Sequence, residues 1–348
     1  MKAVLRPYLR TPRAALLCLA SLALLLWQPP TADAADWPNS LALRATYEVD
    51  AEINWAQRRL NVSSVARVVN TTDGAVTELT FNLLPGVVGQ LEITEVSVAS
   101  TPATHTRTNQ NLSIELPSPL GAGEQVGVRV DYRAWFASGV SGAAWMFTRN
   151  SGIATAYRWI PWLSQANPFR SVGDATVTRH SNEVNVRLTT DQPLKIASSG
   201  RLVSQAGLTH VFSARDVLDF NFSASPTYKT KNVVAGEVEI MVYTRTLSAS
   251  KLAYWAKRAV QRFGNRVGPH PYNRLSVAET PGGSAMESPA HIWISNNSAG
   301  ATLAYRVVHE VAHQWFYAGV ANNQVRQPFA DEAVAGFLSR DLLGQREP

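Results

Sequence analysis

The stretch His309-Glu310-Val311-Ala312-His313 constrains this chain more than any other. On a helix, residues four apart sit one above the other on the same face. His309 and His313 can then point two imidazoles at one ion, and zinc accepts such nitrogens at about 2.0–2.1 Å. Glu310 is turned about 100° around the axis. It cannot share the histidines' direction, but it can reach a water held on the metal, which divides the labour between two ligands and a general base. Eighteen residues after His313 comes Glu332, in the helical-looking segment "DEAVAGFLSRDLL". Two histidines and a carboxylate leave the fourth position of a zinc ion open to water or substrate. The ligand types favour zinc, one ion per chain, over manganese or cobalt.

Upstream the texture is different. From about Leu41 to Tyr243 apolar residues alternate with polar ones, as in Tyr47, Val49, Ala51, Ile53 and again in Val126, Val128, Val130, Tyr132. Clusters such as "NTTDG" and "SPLGAGE" punctuate the runs. Short alternating strands with turn signals read as an antiparallel sandwich or saddle. Near Ser248 the period changes: Leu252, Trp255, Ala259 and Phe263 fall at helical spacing, with Ser248 as a cap and Gly264 as a stop. A strand "LSVAE", a second strand at 290–295, a helix from 301 to about 319 and a last helix from about Pro328 to Leu343 follow. The fold class is α+β: a β-sheet domain over 35–245, then a mixed domain over 246–348.

The start of the chain is a targeting segment. Lys2, Arg6, Arg10 and Arg13 precede an apolar run of 14 residues, Ala14–Trp27, and Ala32-Asp33-Ala34 fits a small-x-small cleavage site. This is the three-part pattern of a secretory signal peptide over 1–34. The run is shorter than the roughly 20 residues a spanning helix needs. The expected product is secreted or periplasmic, membrane-anchored only if the segment stays uncleaved, with no stable span after its removal. The formal charge of +6 loses four basic residues and one acidic residue with the leader, leaving about +3. No basic run and no basic-aromatic cluster points to nucleic acid. The single cysteine, Cys18, lies in the leader, so no disulfide, thiol nucleophile or cysteine ligand is available afterwards.

The spacing His-Glu-x-x-His, eighteen residues, Glu resembles the zinc aminopeptidases of peptidase family M1, the aminopeptidase N and leukotriene A4 hydrolase group. "GSAMESP" (283–289) resembles that family's G-x-M-E-N element, and "FGNRVGPHPYNRLSVAE" the segment leading into its substrate-binding strand. "AYRWIPW" (156–162) is similar to a stretch of its N-terminal domain. The resemblance implies a β-saddle domain followed by a partial thermolysin-like zinc-peptidase domain. It implies His309, His313 and Glu332 as metal ligands and Glu310 as the base. It implies Glu287 as the carboxylate that grips the free α-amino group of peptide substrates, and pairing of the substrate backbone with the strand after Glu287.

The chain departs from the family pattern at Ser284 and Ser288. Ser284 is expected to narrow the approach of a substrate backbone. Sixteen residues follow Glu332, so the sequence offers no downstream helical lobe and no tyrosine to steady an oxyanion, a donor whose loss typically costs about 10²–10³ in rate. The chain therefore reads as C-terminally truncated. The rival readings are a catalytically impaired zinc-binding remnant or binding protein, and a zinc hydrolase without exopeptidase specificity. Among other residues, Asp331 fits either a partner for a ligand or a helix N-terminal charge. His270 reads as structural, and His291 as a strand residue facing solvent or substrate. His105, His180 and His210 read as surface, Trp315 and Phe316 as packing behind the metal helix, and Trp159 and Trp162 as domain-interface core.

Overall fold

A computed structural model describes residues 43–164, 179–324 and 327–345. The leader lies outside the described residues. Among them, no helix is long and apolar enough to cross a membrane.

Alternation builds the first part. Arg44–Asn54 buries Tyr47, Val49, Ala51 and Ile53 and turns the residues between them outward. It pairs antiparallel with Arg59–Val69 and parallel with Val184–Thr190, in the middle of an eight-stranded sheet. Two four-stranded sheets complete this region, one built from the strands at 195–198, 222–225, 153–156 and 147–150, the other from 162–163, 76–82, 111–120 and 105–108. Trp159 meets Phe220 and Phe222 edge-on, and Trp162 stacks on Tyr47 at 4.2 Å. Both thus sit inside the β core. The tryptophans at the seam with the second part are Trp145 and Trp293, 6.0 Å apart.

The second part is a five-stranded sheet with helices. Its strand order is Lys229–Ala235, Val238–Thr244, Arg274–Thr280, His291–Ser295, Ala285–Ser288. The alternation of Val238, Ile240 and Val242 groups the first hairpin with the preceding strands, but its hydrogen bonds do not. Val238–Thr244 runs parallel to Arg274–Thr280, and the second sheet starts at Lys229, ahead of residue 245. Arg274–Thr280 and His291–Ser295 are buried on both faces, which alternation alone does not signal, whereas Val238–Thr244 keeps one face partly open. Leu275, Val277, Ile292 and Ile294 face the helices, while Ala278 and Trp293 join the β core.

Helix Ala249–Arg266 links two of these parallel strands. Ser248 caps it, accepting from the backbone N–H of Lys251, and Leu252, Ala256, Ala259, Val260 and Phe263 form its buried stripe. Gly264 does not end it. The chain leaves the helix at Gly268, whose φ of 141° suits glycine, followed by Pro269. Helix Gly300–His313 packs on Ala249–Arg266, on Glu332–Leu343 and on the short edge strand Ala285–Ser288.

Two histidines expected at the surface or facing substrate are core residues. His291 is fully buried, its Nε2 accepting from the indole N–H of Trp293 at 2.6 Å, and His210 is buried beside Phe212. His180 is tied down as well, its Nε2 lying 2.7 Å from the carbonyl oxygen of Ala318. Only His105 of the three is exposed. His270 is structural, as expected: its Nδ1 sits 2.7 Å from the carbonyl oxygen of Tyr272 and its ring meets Trp315 edge-on.

Burial pushes the His270 imidazole down to about 4. A folded-state value below the ordinary 6.5 means the native ring stays neutral while the unfolded chain takes up the proton first. The stability tied to this ring is full above about pH 6.5 and is lost as pH falls toward 4. The stability gap between the parent protein and His270→Phe should therefore shrink by about 2.5 kcal/mol between pH 7.5 and pH 4.5. Denaturant midpoints at the two pH values measure it, and a gap that does not change with pH would contradict a neutral buried ring.

Candidate metal and active centre

Helix Gly300–His313 sets the centre by bringing His309 and His313 onto one face. Their Nε2 atoms lie 3.1 Å apart, with the rings nearly perpendicular. Glu332 opens the helix Glu332–Leu343 and meets them from across the groove. Its Oε2 is 3.2 Å from His309 Nε2, and its Oε1 is 3.9 Å from His313 Nε2. The three residues that the spacing singled out thus converge, each offering one ligand atom within 4.8 Å of the others. His313 is buried, while the side chain of Glu332 is open to solvent.

Asp331 resolves the two roles the sequence left for it. Its Oδ1 accepts from His313 Nδ1 at 2.6 Å, and it makes no side-chain cap to the helix it precedes. A proton held on Nδ1 leaves the Nε2 lone pair facing the convergence point, which is how a carboxylate orients a ligating imidazole. Burial pulls the His313 imidazole down, but the Asp331 hydrogen bond and the carboxylates of Glu287 and Glu310 outweigh it and lift it to about 10. The surroundings favour positive charge at this point. Donor set, tautomer and field all fit a divalent cation held by His309, His313 and Glu332.

Glu310 is buried on the same helix, and one of its oxygens has no hydrogen-bond partner among the described residues. It shares a second cluster with Glu287 and His313, again within 4.8 Å. Burial pushes its carboxyl well above the ordinary carboxylate range and the Glu287 carboxyl to about 7. A buried acidic oxygen without a partner, next to a cation site, is placed to handle a proton.

Glu287 lies on the edge strand Ala285–Ser288, which corrects one expectation. The strand after it, His291–Ser295, is interior, hydrogen-bonded on both sides. The edge open to an added strand is the one that carries Glu287 itself. Before it, Gly282 and Gly283 have φ of 74° and 72°. A Cβ on Gly283 would lie 2.2 Å from the Trp145 ring, so only glycine fits against the β domain here. Ser284 is exposed at the mouth of the strand, and Ser288 is buried.

Several residues around the centre carried no sequence signal. The helix widens into a π turn over Gln314–Gly319, and Gln314 pins the edge strand to it. Its Oε1 accepts from Ala290 N at 2.9 Å, and its Nε2 donates to the carbonyl of Ser288 at 3.0 Å. Tyr317, in the same turn, donates to Asp219 Oδ2 at 2.8 Å. Gln324 donates to both Glu287 and Asp331. Trp315 packs behind the metal helix on Phe263, as expected, and Phe316 is partly buried there. Beside the ligands, a cavity of about 510 Å³ is lined by Tyr305, His309, Glu332 and Phe337.

No family model matches the chain, and no curated protein does. Solved structures match over most of its length. An M1 zinc metallopeptidase from Deinococcus radiodurans aligns at 16% identity with a TM-score of 0.63, covering 88% of this chain and 72% of its own. A mutant of the M1 zinc metallopeptidase from the same organism, bound to a Tyr-Ser-Ala substrate, aligns with the same values. A two-domain M1 zinc metallopeptidase mutant bound to L-arginine aligns at 15% identity with a TM-score of 0.62. The chain has the fold of these M1 zinc metallopeptidases, an N-terminal β domain joined to the sheet and helices that carry His309, His313 and Glu332.

Proposed function

We propose that this chain is an exported zinc aminopeptidase that removes N-terminal residues from peptides. The observation that carries the reading is the convergence of His309, His313 and Glu332 on one point, with Asp331 fixing the His313 tautomer. A zinc ion held there would supply Lewis acidity, lowering the pKa of a bound water toward about 7 and polarising the scissile carbonyl. Glu310 takes the proton of the attacking water and returns it to the leaving amine. Its buried surroundings suit a group that must hold a proton transiently. The edge strand Ala285–Ser288 pairs with the substrate main chain.

Glu287 selects chain ends. An α-ammonium has a pKa of about 7.7–8 and is mostly charged at neutral pH. Next to Glu287 it finds a counter-charge, whereas an internal or acetylated amide would leave that carboxyl buried without a cation. Zinc-loaded protein should cut free peptides in strong preference to their N-acetylated forms. Glu287→Ala should reduce the preference by about 10–100-fold, the worth of a hydrogen bond to a charged group. Equal cleavage of free and acetylated peptides by the parent protein would remove the exopeptidase reading and leave a zinc hydrolase of other specificity. Export is tested separately, by sequencing the amino terminus of protein recovered from outside the cytoplasm.

A further inference from the structure

We propose that Gln324 is part of the ammonium pocket, holding Glu287 in place and offering its own carbonyl oxygen as a second acceptor. The inference rests on the reading of Glu287 given above. Gln324 Nε2 lies 3.1 Å from Glu287 Oε1 and 2.7 Å from Asp331 Oδ2. A carboxamide nitrogen carries two hydrogens, and both are engaged by carboxylates here. The opposite amide orientation would aim a carbonyl oxygen at two acids, so the assignment is fixed by its surroundings. The other oxygen of Asp331 holds His313 Nδ1. A continuous chain of hydrogen bonds thus runs from Glu287 through Gln324 and Asp331 to the histidine.

Gln324 Oε1 is the telling atom. It is buried and has no hydrogen-bond partner among the described residues. Bonded to the same carbon as Nε2, it lies close to Glu287. A buried acceptor left open beside a carboxylate calls for a donor, and a donor rich enough to serve both is a primary ammonium, with three N–H groups. Gln324 Nε2 engages Glu287 Oε1, which leaves Glu287 Oε2 and Gln324 Oε1 to face the incoming amine. Selection of the chain end then depends on a neutral acceptor as well as on a charge, and on a loop residue that follows the metal helix.

The test uses zinc-loaded protein carrying Glu310→Gln, so that ligands bind without being cut. Alanylglycine and N-acetyl-alanylglycine are titrated by calorimetry with Gln324 intact and with Gln324→Met, which keeps the length and removes both the donors and the acceptor. Gln324→Met should weaken binding of the free dipeptide about tenfold and leave the acetylated form unchanged, with zinc content and denaturant midpoint preserved. Unchanged or tighter binding of the free dipeptide would overturn the proposal, as would an equal loss for both forms. If Gln324→Met loses zinc or folds poorly, Gln324→Asn replaces it, and the same outcomes apply. With Gln324 intact, equal binding of the two dipeptides would instead defeat the role given to Glu287.

Discussion

Glu310→Gln is expected to keep one zinc per chain and to lower turnover by about 10²–10⁴-fold, the usual worth of a positioned general base. The two side chains have the same shape, so the helix face that carries His309 and His313 is undisturbed. Glutamine cannot accept a proton at its amide, so the chemical step loses its base while the ligand set keeps its three atoms. The substitution also removes one of two neighbouring buried carboxyls, since Glu287 and Glu310 share a cluster with His313. Removing a buried acid next to another relieves repulsion, so folding stability should hold or rise. Metal content by elemental analysis, kcat on a free peptide and a denaturant midpoint together decide the matter. Metal lost with activity would make Glu310 a ligand. Activity kept with metal would place the base elsewhere. His313→Ala makes the contrast: it removes a ligand, strips Asp331 Oδ1 of its partner, and should abolish metal binding and turnover together.

The centre was legible because its chemistry is local in sequence. His309, Glu310 and His313 fall within five residues, and the helical period alone says which two share a face. Glu332 is farther along but sits at the head of a second amphipathic segment. What could not be read is what the tertiary fold brings in from a distance. Gln324 looks like one more loop amide until the chain returns and sets it between Glu287 and Asp331. The hairpin 229–244 alternates like any half-exposed strand pair, so periodicity assigned it to the wrong sheet. His291 read as facing solvent or substrate and His210 as surface, yet the strand of His291 is covered on both faces, and His210 falls on the inward face of an alternating strand. Ser288 is a departure from the family pattern, and the hydrogen-bond partners of its hydroxyl, Ser199, Asp219 and Asn221, all come from loops far upstream.

Those neighbours give the largest stability effect to be expected outside the metal site. Asp219→Ala should cost about 3–5 kcal/mol, as removal of one partner from a buried ion pair generally does. Asp219 and Arg158 are both buried, with Arg158 Nε 3.5 Å from Asp219 Oδ2. The same carboxylate accepts from Tyr317 at 2.8 Å, from Ser288 at 2.8 Å and from Asn221 at 2.9 Å. Arg158 and Asn221 belong to the β domain, Ser288 to the edge strand and Tyr317 to the π turn, so one carboxylate gathers both parts of the molecule. Burial pushes the Asp219 carboxyl up, although Arg158 and the hydrogen bonds pull it down. The pair is therefore costly to bury and is held by the groups around it. That asymmetry gives a second arm to the experiment. Arg158→Met with Asp219→Leu should be less destabilising than Asp219→Ala alone, because no guanidinium is then left buried without this acid. The functional consequence runs through Ser288, the residue after Glu287. Losing its acceptor should loosen the edge strand and raise KM for free peptides more than it lowers kcat. If Asp219→Ala costs less than about 1 kcal/mol, the scale of an ordinary surface pair, or if the double replacement proves worse than the single, the seam does not depend on this charge, and the placement of Glu287 must come from Gln314, Gln324 and Gly283 instead.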